Sequence, residues 1–369
     1  MKAKGIYDPQ FNSVAREFNA LWEDVEVGAS LSIFLEGKAV VNLWGGYKDA
    51  HQSKAWRKDT LVNVYSVTKG IMAMAIAHLV GRGKLCYEAS VCEYWPEFGS
   101  ENKFDITIDQ LISHQAGLFN FSPRVTVDEL YEWQKMSFNL AAQKPQWKPG
   151  TSFGYHAITW GYLVGEVIRR VTGQTAGVYL RENIADPLKA DFYLGLNENE
   201  INRCATMIGP NRARKTLKSV QTQLDQKLLS TDPVIAPYKH ASSDAFRKAE
   251  IPGSNGHANA LGLARCYDAM LSGSLIDSHT LDLARTELTR GEVDRVLGQV
   301  IRRARGFILN SDTCYFGPSQ QAYGHSGTGG AIAFADPKNH VAFAYAMNQL
   351  HFDGAKRSKH LIDTFYQCI

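Results

Sequence analysis

The sequence predicts an α+β fold, in which one antiparallel sheet is built from both termini and flanked by helices, with a mostly helical region inserted between. Three observations carry this expectation. Each end of the 369-residue chain combines an amphipathic helix with β-rich runs, and the middle is patterned mainly for helices. No internal repeat, low-complexity tract or block of like charge divides the chain.

The elements follow in order. Phe11, Val14, Phe18, Leu21 and Trp22 recur at helical spacing after Tyr-Asp-Pro and predict the first helix. Residues 29–35 and 39–44 read as strands joined by a short turn at Glu36-Gly37-Lys38. A β-rich run, residues 60–65, leads into a helical pattern over 70–80. Thr107 and Gln110 have the spacing of a capping box and open a short helix expected to end at Gly117; residues 158–172 form a long periodic helix stopped by Gly173. Near the far end, residues 305–309, 330–335 and 340–347 read as strands, with a turn at Asp336-Pro-Lys-Asn339. Residues 355–366 close the chain as a helix carrying Leu361, Ile362 and Phe365 on one side.

Length alone suggests roughly two to two and a half domain-sized units. Composition is that of a globular protein, at 44% hydrophobic and 21% charged. With 40 Lys and Arg against 37 Asp and Glu, the net charge of +3 is no footprint for nucleic acid, which is not expected as a partner. The six cysteines (Cys86, Cys92, Cys204, Cys266, Cys314, Cys368) are scattered, without a C-x-x-C pair or a histidine at metal-ligand spacing, so they read as reduced core thiols and no metal is expected. Residues 1–10 hold two lysines but no apolar run behind them, unlike a signal peptide. The most apolar stretch, 71–80, contains His78 and is about half a bilayer span. These features predict a soluble, cytoplasmic enzyme, with homo-oligomerisation left open.

Ser66-Val-Thr-Lys69 sits where the β-rich run meets the helical pattern. Three helical residues advance about 4.5 Å and about 300°, so Ser66 and Lys69 share a face one turn apart. A serine hydroxyl is a poor nucleophile until a neighbour takes its proton, and a lysine can take it once burial or nearby cations depress its pKa. The amino end of the helix adds partial positive charge where an oxyanion would form. The same spacing also fits a helix cap followed by a solvated lysine.

Other segments corroborate the first reading. Asp59-Thr-Leu-Val-Asn-Val-Tyr-Ser-Val-Thr-Lys-Gly70, Leu111-Ile-Ser-His-Gln-Ala-Gly-Leu118, Trp147-Lys-Pro-Gly-Thr-Ser-Phe-Gly-Tyr155 and Gly324-His-Ser-Gly-Thr-Gly-Gly330 occur in that order. Together they resemble the β-lactamase-related serine hydrolases: class C β-lactamases, D-alanyl-D-alanine peptidases of the penicillin-binding-protein type and, most closely, the esterases with a β-lactamase fold. The resemblance runs from about Phe11 to about Tyr366. It implies that Ser66 is the acyl-accepting nucleophile, Lys69 its proton-handling partner, and Tyr155 a phenolate base or proton relay. His325-Ser326-Gly327 would lie alongside substrate, and the backbone N–H groups of Ser66 and Thr328 would form an oxyanion hole. His156, Asn255 and His257 are further expected substrate contacts, the last two in a loop, residues 251–259, expected to line the cleft; His114 is expected to be structural. No cofactor is implied.

Two departures point to the subclass. Ala157 stands where a β-lactamase carries an asparagine, and His325 where it carries a permanently charged lysine. With an unperturbed pKa of about 6.5, His325 would be largely neutral at pH 7, and activity would change through the range of histidine titration. Both changes weaken recognition of an anionic acylamino lactam and leave acyl transfer intact. The expected activity is therefore hydrolysis of small to medium acyl esters through a Ser66 acyl-enzyme. A β-lactamase or D-amino-acid peptidase, and a non-catalytic scaffold retaining the fold, are the alternatives. Gly324-His-Ser326-Gly-Thr328 misses the G-x-S-x-G elbow at its last position, and the glycines of 327–330 read as a close approach of backbone to substrate. Since Ser66 and Tyr155 fall in the helical middle and His325 in a terminal strand, residues 11–366 are expected to form one discontinuous catalytic unit. Its α/β part would comprise about 1–58 and 290–369, and its helical part about 59–289.

Overall fold

The computed structural model describes residues 2–23, 26–210, 237–289, 291–352 and 355–369. Its strands are β1 (Lys4–Tyr7), β2 (Gly28–Leu35), β3 (Lys38–Gly46), β4 (Val62–Asn63), β5 (Phe192–Tyr193), β6 (His257–Ala258), β7 (Ile308–Leu309), β8 (Tyr323–Ser326), β9 (Ile332–Asp336) and β10 (Val341–Met347). The helices that matter below are α1 (Asn12–Ala20), α2 (Val67–Gly81), α3 (Ile108–Ile112), α4 (Trp133–Ala142), α5 (Thr159–Thr172), α6 (Ala260–Leu271) and α7 (Lys356–Tyr366).

The main sheet has the order β1-β3-β2-β10-β9-β8-β7 and is antiparallel throughout. Strands from the two termini meet at its centre, where Leu31 pairs with Tyr345 and Ile33 with Phe343. The β2–β3 hairpin turns through Glu36 (φ +50°) and Gly37 (φ +77°), the pair of positive values that matches the twist of the flanking strands. The terminal helices close together: the Phe11 ring, just ahead of α1, stacks on Phe365 of α7 at 5.3 Å. Helix α6 packs on β2, β9 and β10, its first N–H (Ala260) donating to Ser30 Oγ at 3.1 Å. A second, small sheet of order β4-β6-β5 joins the run before Ser66 to the loop before α6. One apolar core runs through all of this, from Phe11 to Phe365.

Helix α2 has a reason to be central. It is apolar on every side, and nearly all of it is buried, as a helix without a polar face must be. Helix α5 ends at Gly173, whose φ of +74° is the left-handed stop its sequence predicts. The reciprocal Thr107–Gln110 cap forms, with both bonds at 3.2 Å.

Three expectations need adjustment, and one strand was unforeseen. Helix α3 stops at Ile112, five residues before Gly117, because His114 takes φ +67° and turns the chain. Only Ile308 and Leu309 of the 305–309 run pair as a strand, since Gly306 bends at φ +86° and Arg305 turns to Asp109 and Glu88. The 330–335 strand starts at Ile332, after a 3₁₀ turn at Thr328–Gly330. Strand β1 is only four residues long and exposed along its length, Ile6 and Tyr7 included, so its pairing with β3 is invisible to pattern reading.

Candidate active site

Ser66 owes its position to a strained residue. Tyr65 has φ +48°, a region that bulky side chains avoid at a cost of about 1–3 kcal/mol. The turn is held by Tyr65 N–H donating to Asn63 Oδ1 at 3.0 Å, and by Thr68 N–H donating to the Tyr65 carbonyl at 2.9 Å. The strand thereby breaks off and α2 begins at once, leaving Ser66 partly exposed at the helix amino end.

Lys69, one turn on, is 0% exposed. Its Nζ donates to the carbonyls of Ala157 and Gly253, both at 2.7 Å, and stands 3.5 Å from Ser66 Oγ. Burial, reinforced by the Arg303 charge, holds the amine pKa well below the usual lysine range. A neutral amine has two N–H bonds and one lone pair. With the two N–H bonds spent on carbonyls, the lone pair is left for the Ser66 proton.

The Gly253 carbonyl reaches Lys69 because α5 leaves room for its loop: a Cβ on Gly161 would lie 2.1 Å from Gly253 N. Tyr155 donates its hydroxyl to Ser66 Oγ at 2.7 Å, and its ring centre lies 4.8 Å from Lys69 Nζ. Burial pushes the phenol up to about 12, so at neutral pH it is protonated, which suits a relay rather than a standing phenolate. Ser66 Oγ thus accepts from Tyr155 and has its own proton free for Lys69.

Strand β8 lies against this turn. A Cβ on Gly327 would fall 2.3 Å from the Val64 carbonyl, so only glycine lets the two backbones approach. Ser326, Gly327 and Thr328 are partly exposed, as is Ser66. Among the described residues, no carbonyl accepts from the backbone N–H of Ser66 or Thr328. The turn bearing Thr328 is held from behind by Arg357, whose Nη2 donates to the Gly329 carbonyl at 2.6 Å.

His325 is 2% exposed, and its Nδ1–H donates to the Ser326 carbonyl at 2.7 Å. In the neutral ring Nε2 is then an acceptor, buried and without a partner among the described residues. Burial, reinforced by the Arg303 charge, drives its pKa well below the ordinary histidine value. This corrects the expectation of a histidine-range transition, because the protonated ring has no place in so dry and cationic a site.

Three expected substrate contacts are corrected as well. His156 is fully buried, accepting from Leu118 N–H at 2.9 Å and donating to the Gly154 carbonyl at 2.6 Å, with nothing left for a ligand. Asn255 accepts from Ile251 N–H and donates to the carbonyls of Phe246 and Ala249, closing the loop that carries Gly253 to Lys69. His257 is buried in β6 and donates to the Asn255 carbonyl. His114 takes the structural part expected of it, accepting from His156 N–H at 3.0 Å.

Sequence reading missed the carbonyls of Ala157 and Gly253 and the buried Asp294–Arg303 pair behind Tyr155. No motif marks any of them, since carbonyls have no sequence signature and the pair lies outside every recognisable segment. No cluster of three metal-binding side chains occurs among the described residues, and none of their helices is long and apolar enough to cross a membrane.

Residues 12–364 match the family model described as Beta-lactamase. The esterase/β-lactamase LipL of Mycobacterium tuberculosis (strain ATCC 25618 / H37Rv) is 33% identical over 360 residues, covering 94% of this chain and 83% of that protein. Among solved structures, a family VIII carboxylesterase superposes with a TM-score of 0.92 at 39% identity, each chain fully covered. A penicillin-binding-protein homologue from Caulobacter crescentus reaches 0.90 at 36%, again over both full chains. EstA from Arthrobacter nitroguajacolicus Rue61a reaches 0.85 at 31%, over 99% of this chain and 100% of its own.

Proposed function

The chain belongs to the β-lactamase family of serine hydrolases, and we propose that it is a carboxylesterase hydrolysing small to medium acyl esters through a Ser66 acyl-enzyme. One observation carries this reading: Ser66 Oγ receives the Tyr155 hydroxyl at 2.7 Å, while the buried Lys69 amine stands 3.5 Å away, tied by two carbonyls.

The cycle balances on these groups. Ser66 Oγ attacks the ester carbonyl as its proton passes to Lys69, and the backbone N–H groups of Ser66 and Thr328 receive the oxyanion. Collapse expels the alkoxide, which takes the Tyr155 proton and leaves as alcohol; Lys69 returns its proton to the phenolate. Water then repeats the attack on the acyl carbonyl, its proton restoring the Ser66 hydroxyl.

Ester substrates are favoured by what faces them. Residue 157 offers a methyl group in place of an amide side chain, and its carbonyl is engaged by Lys69. His325 is buried and spends its N–H on the Ser326 carbonyl, so it supplies no fixed cation for a substrate carboxylate. The whole of residues 11–366 would act as one discontinuous unit, since Ser66, Tyr155 and His325 come from separate parts of the chain. Six free cysteines suit a reducing, cytoplasmic setting.

Intact mass after brief exposure to p-nitrophenyl butyrate, nitrocefin and a D-alanyl peptide tests the reading. An acyl adduct on Ser66 from the ester, with turnover lost in Ser66→Ala and Lys69→Ala and lowered about 10²–10⁴-fold in Tyr155→Phe, is the expected result. Adducts and turnover with nitrocefin or the peptide alone would assign the β-lactamase or peptidase activity instead. An unmodified, inactive protein would leave a scaffold.

A further inference from the structure

A buried ion pair stands directly behind the proposed nucleophile system. Arg303 is 2% exposed, and its guanidinium carbon lies 5.0 Å from the centre of the Tyr155 ring. Its Nη2 donates to Asp294 Oδ2 at 3.1 Å. The other carboxylate oxygen, Oδ1, accepts from the backbone N–H groups of Tyr155 at 3.0 Å, and of Val296 and Leu297 at 2.9 Å each. Asp294 therefore clamps the guanidinium with one oxygen and the Tyr155 backbone with the other. Arg303 is fixed at its own backbone too, its N–H donating to Thr289 Oγ1 at 2.9 Å and its carbonyl accepting from Leu288 N–H at 2.8 Å.

A buried pair of this kind adds little stability over well-packed apolar residues, so its place beside a reactive tyrosine calls for another explanation. The groups around it are Lys69 from α2, His325 from β8, His114 and His156 from the loops ahead of α4 and α5, and the Cys314 thiol. Each of the four bases is pushed toward its neutral form, by burial first and by the Arg303 charge in addition. The same charge opposes, without overcoming, the burial that raises Tyr155 and Cys314. Arg303 is thus the permanently charged member of the group.

We propose that Arg303, clamped by Asp294, is a positioning residue of the catalytic centre: it fixes the Tyr155 ring against Ser66 and supplies the lasting positive charge that keeps Lys69 free to accept a proton. This rests on Ser66 being the nucleophile and is independent of which acyl group it takes.

The sign of the effect is definite. A nearby cation disfavours the ammonium form of Lys69, so removing it lets Lys69 hold its proton to higher pH, and Ser66 loses reactivity from the acid side. The test is the pH dependence of Ser66 labelling by an alkyl fluorophosphonate, with kcat and KM for p-nitrophenyl butyrate measured beside it on the full chain. Arg303→Gln and the pair-neutral Arg303→Gln/Asp294→Asn are expected to move the acid limb upward by about one pH unit, a tenfold loss of labelling rate on that limb, with KM little changed. Arg303→Lys keeps the charge and should keep the limb. Asp294→Asn leaves the charge uncompensated and should not move the limb upward, whereas a purely structural role would move it as the neutral variants do. Folded neutral variants with an unmoved limb, or an upward shift in Asp294→Asn equal to theirs, overturn the proposal. Wild type that is labelled but hydrolyses no ester would remove the carboxylesterase reading and leave this one standing; unlabelled wild type would remove both.

Discussion

At the scale of single residues, the chemistry depends on what burial does to charge. Lys69 and His325 are both bases that burial pushes toward the neutral form, and the consequences differ because their partners differ. Lys69 spends its N–H bonds on carbonyls and keeps a lone pair for Ser66, whereas His325 spends its one N–H on the Ser326 carbonyl and keeps its other nitrogen buried. Ester hydrolysis should accordingly show no inflection from His325 between pH 6 and 8. His325→Gln is expected to leave the shape of the kcat/KM profile in that range unchanged, and a wild-type inflection near the ordinary histidine value that vanishes in the variant would refute this. The identities of Ser66, Lys69, Tyr155 and His325 are legible in the sequence because they sit in recognisable segments. Their protonation states are not, because the desolvation that sets them comes from residues far away in the chain.

Among elements, the site is assembled by close approaches that only glycine permits. Gly161 admits the loop carrying the Gly253 carbonyl, and Gly327 lets β8 lie on the turn that presents Ser66. A methyl group on Gly161 would force that loop off α5. Gly161→Ala should therefore destabilise the protein by about 1–3 kcal/mol, seen as a lower thermal midpoint, and should slow Ser66 labelling in the folded protein because Lys69 loses an acceptor. Labelling at the wild-type rate would show that the carbonyl is not needed. Helices and the β2–β3 hairpin were legible, since periodicity, caps and turn residues are local signals. Strand β1, the early end of α3 and the turn at Thr328–Gly330 were not, because each is decided by a neighbour: the edge of β3, the reversal at His114, and the Arg357 side chain that holds Gly329.

For the whole molecule, one core joins both ends of the chain to the helical middle, so unfolding is expected to be a single cooperative transition. Five buried histidines, His78, His114, His156, His257 and His325, have folded pKa values below the ordinary one, with His156 at about 4 and His257 at about 3. Below about pH 6.5 the unfolded chain binds protons that the folded chain refuses, so stability is complete above that value and falls as the pH drops toward the folded values. Each histidine removes up to about 1.4 kcal/mol per pH unit in that window. Thermal melts between pH 7.5 and 5 should show a falling midpoint, and a midpoint constant across that range would contradict the buried, neutral assignments.

From sequence came the family, the α+β architecture and the residues Ser66, Lys69 and Tyr155, because ordered motifs and periodic apolar positions are written along the chain. Folding alone decided which atoms meet: the two carbonyls that hold Lys69, the Asp294–Arg303 pair behind Tyr155, and the burial that withdraws His156, Asn255 and His257 from substrate. The physical reason is that desolvation and contact depend on residues far apart in the chain, as Leu31 and Tyr345 or Phe11 and Phe365 are, and no local pattern encodes which of them will be neighbours.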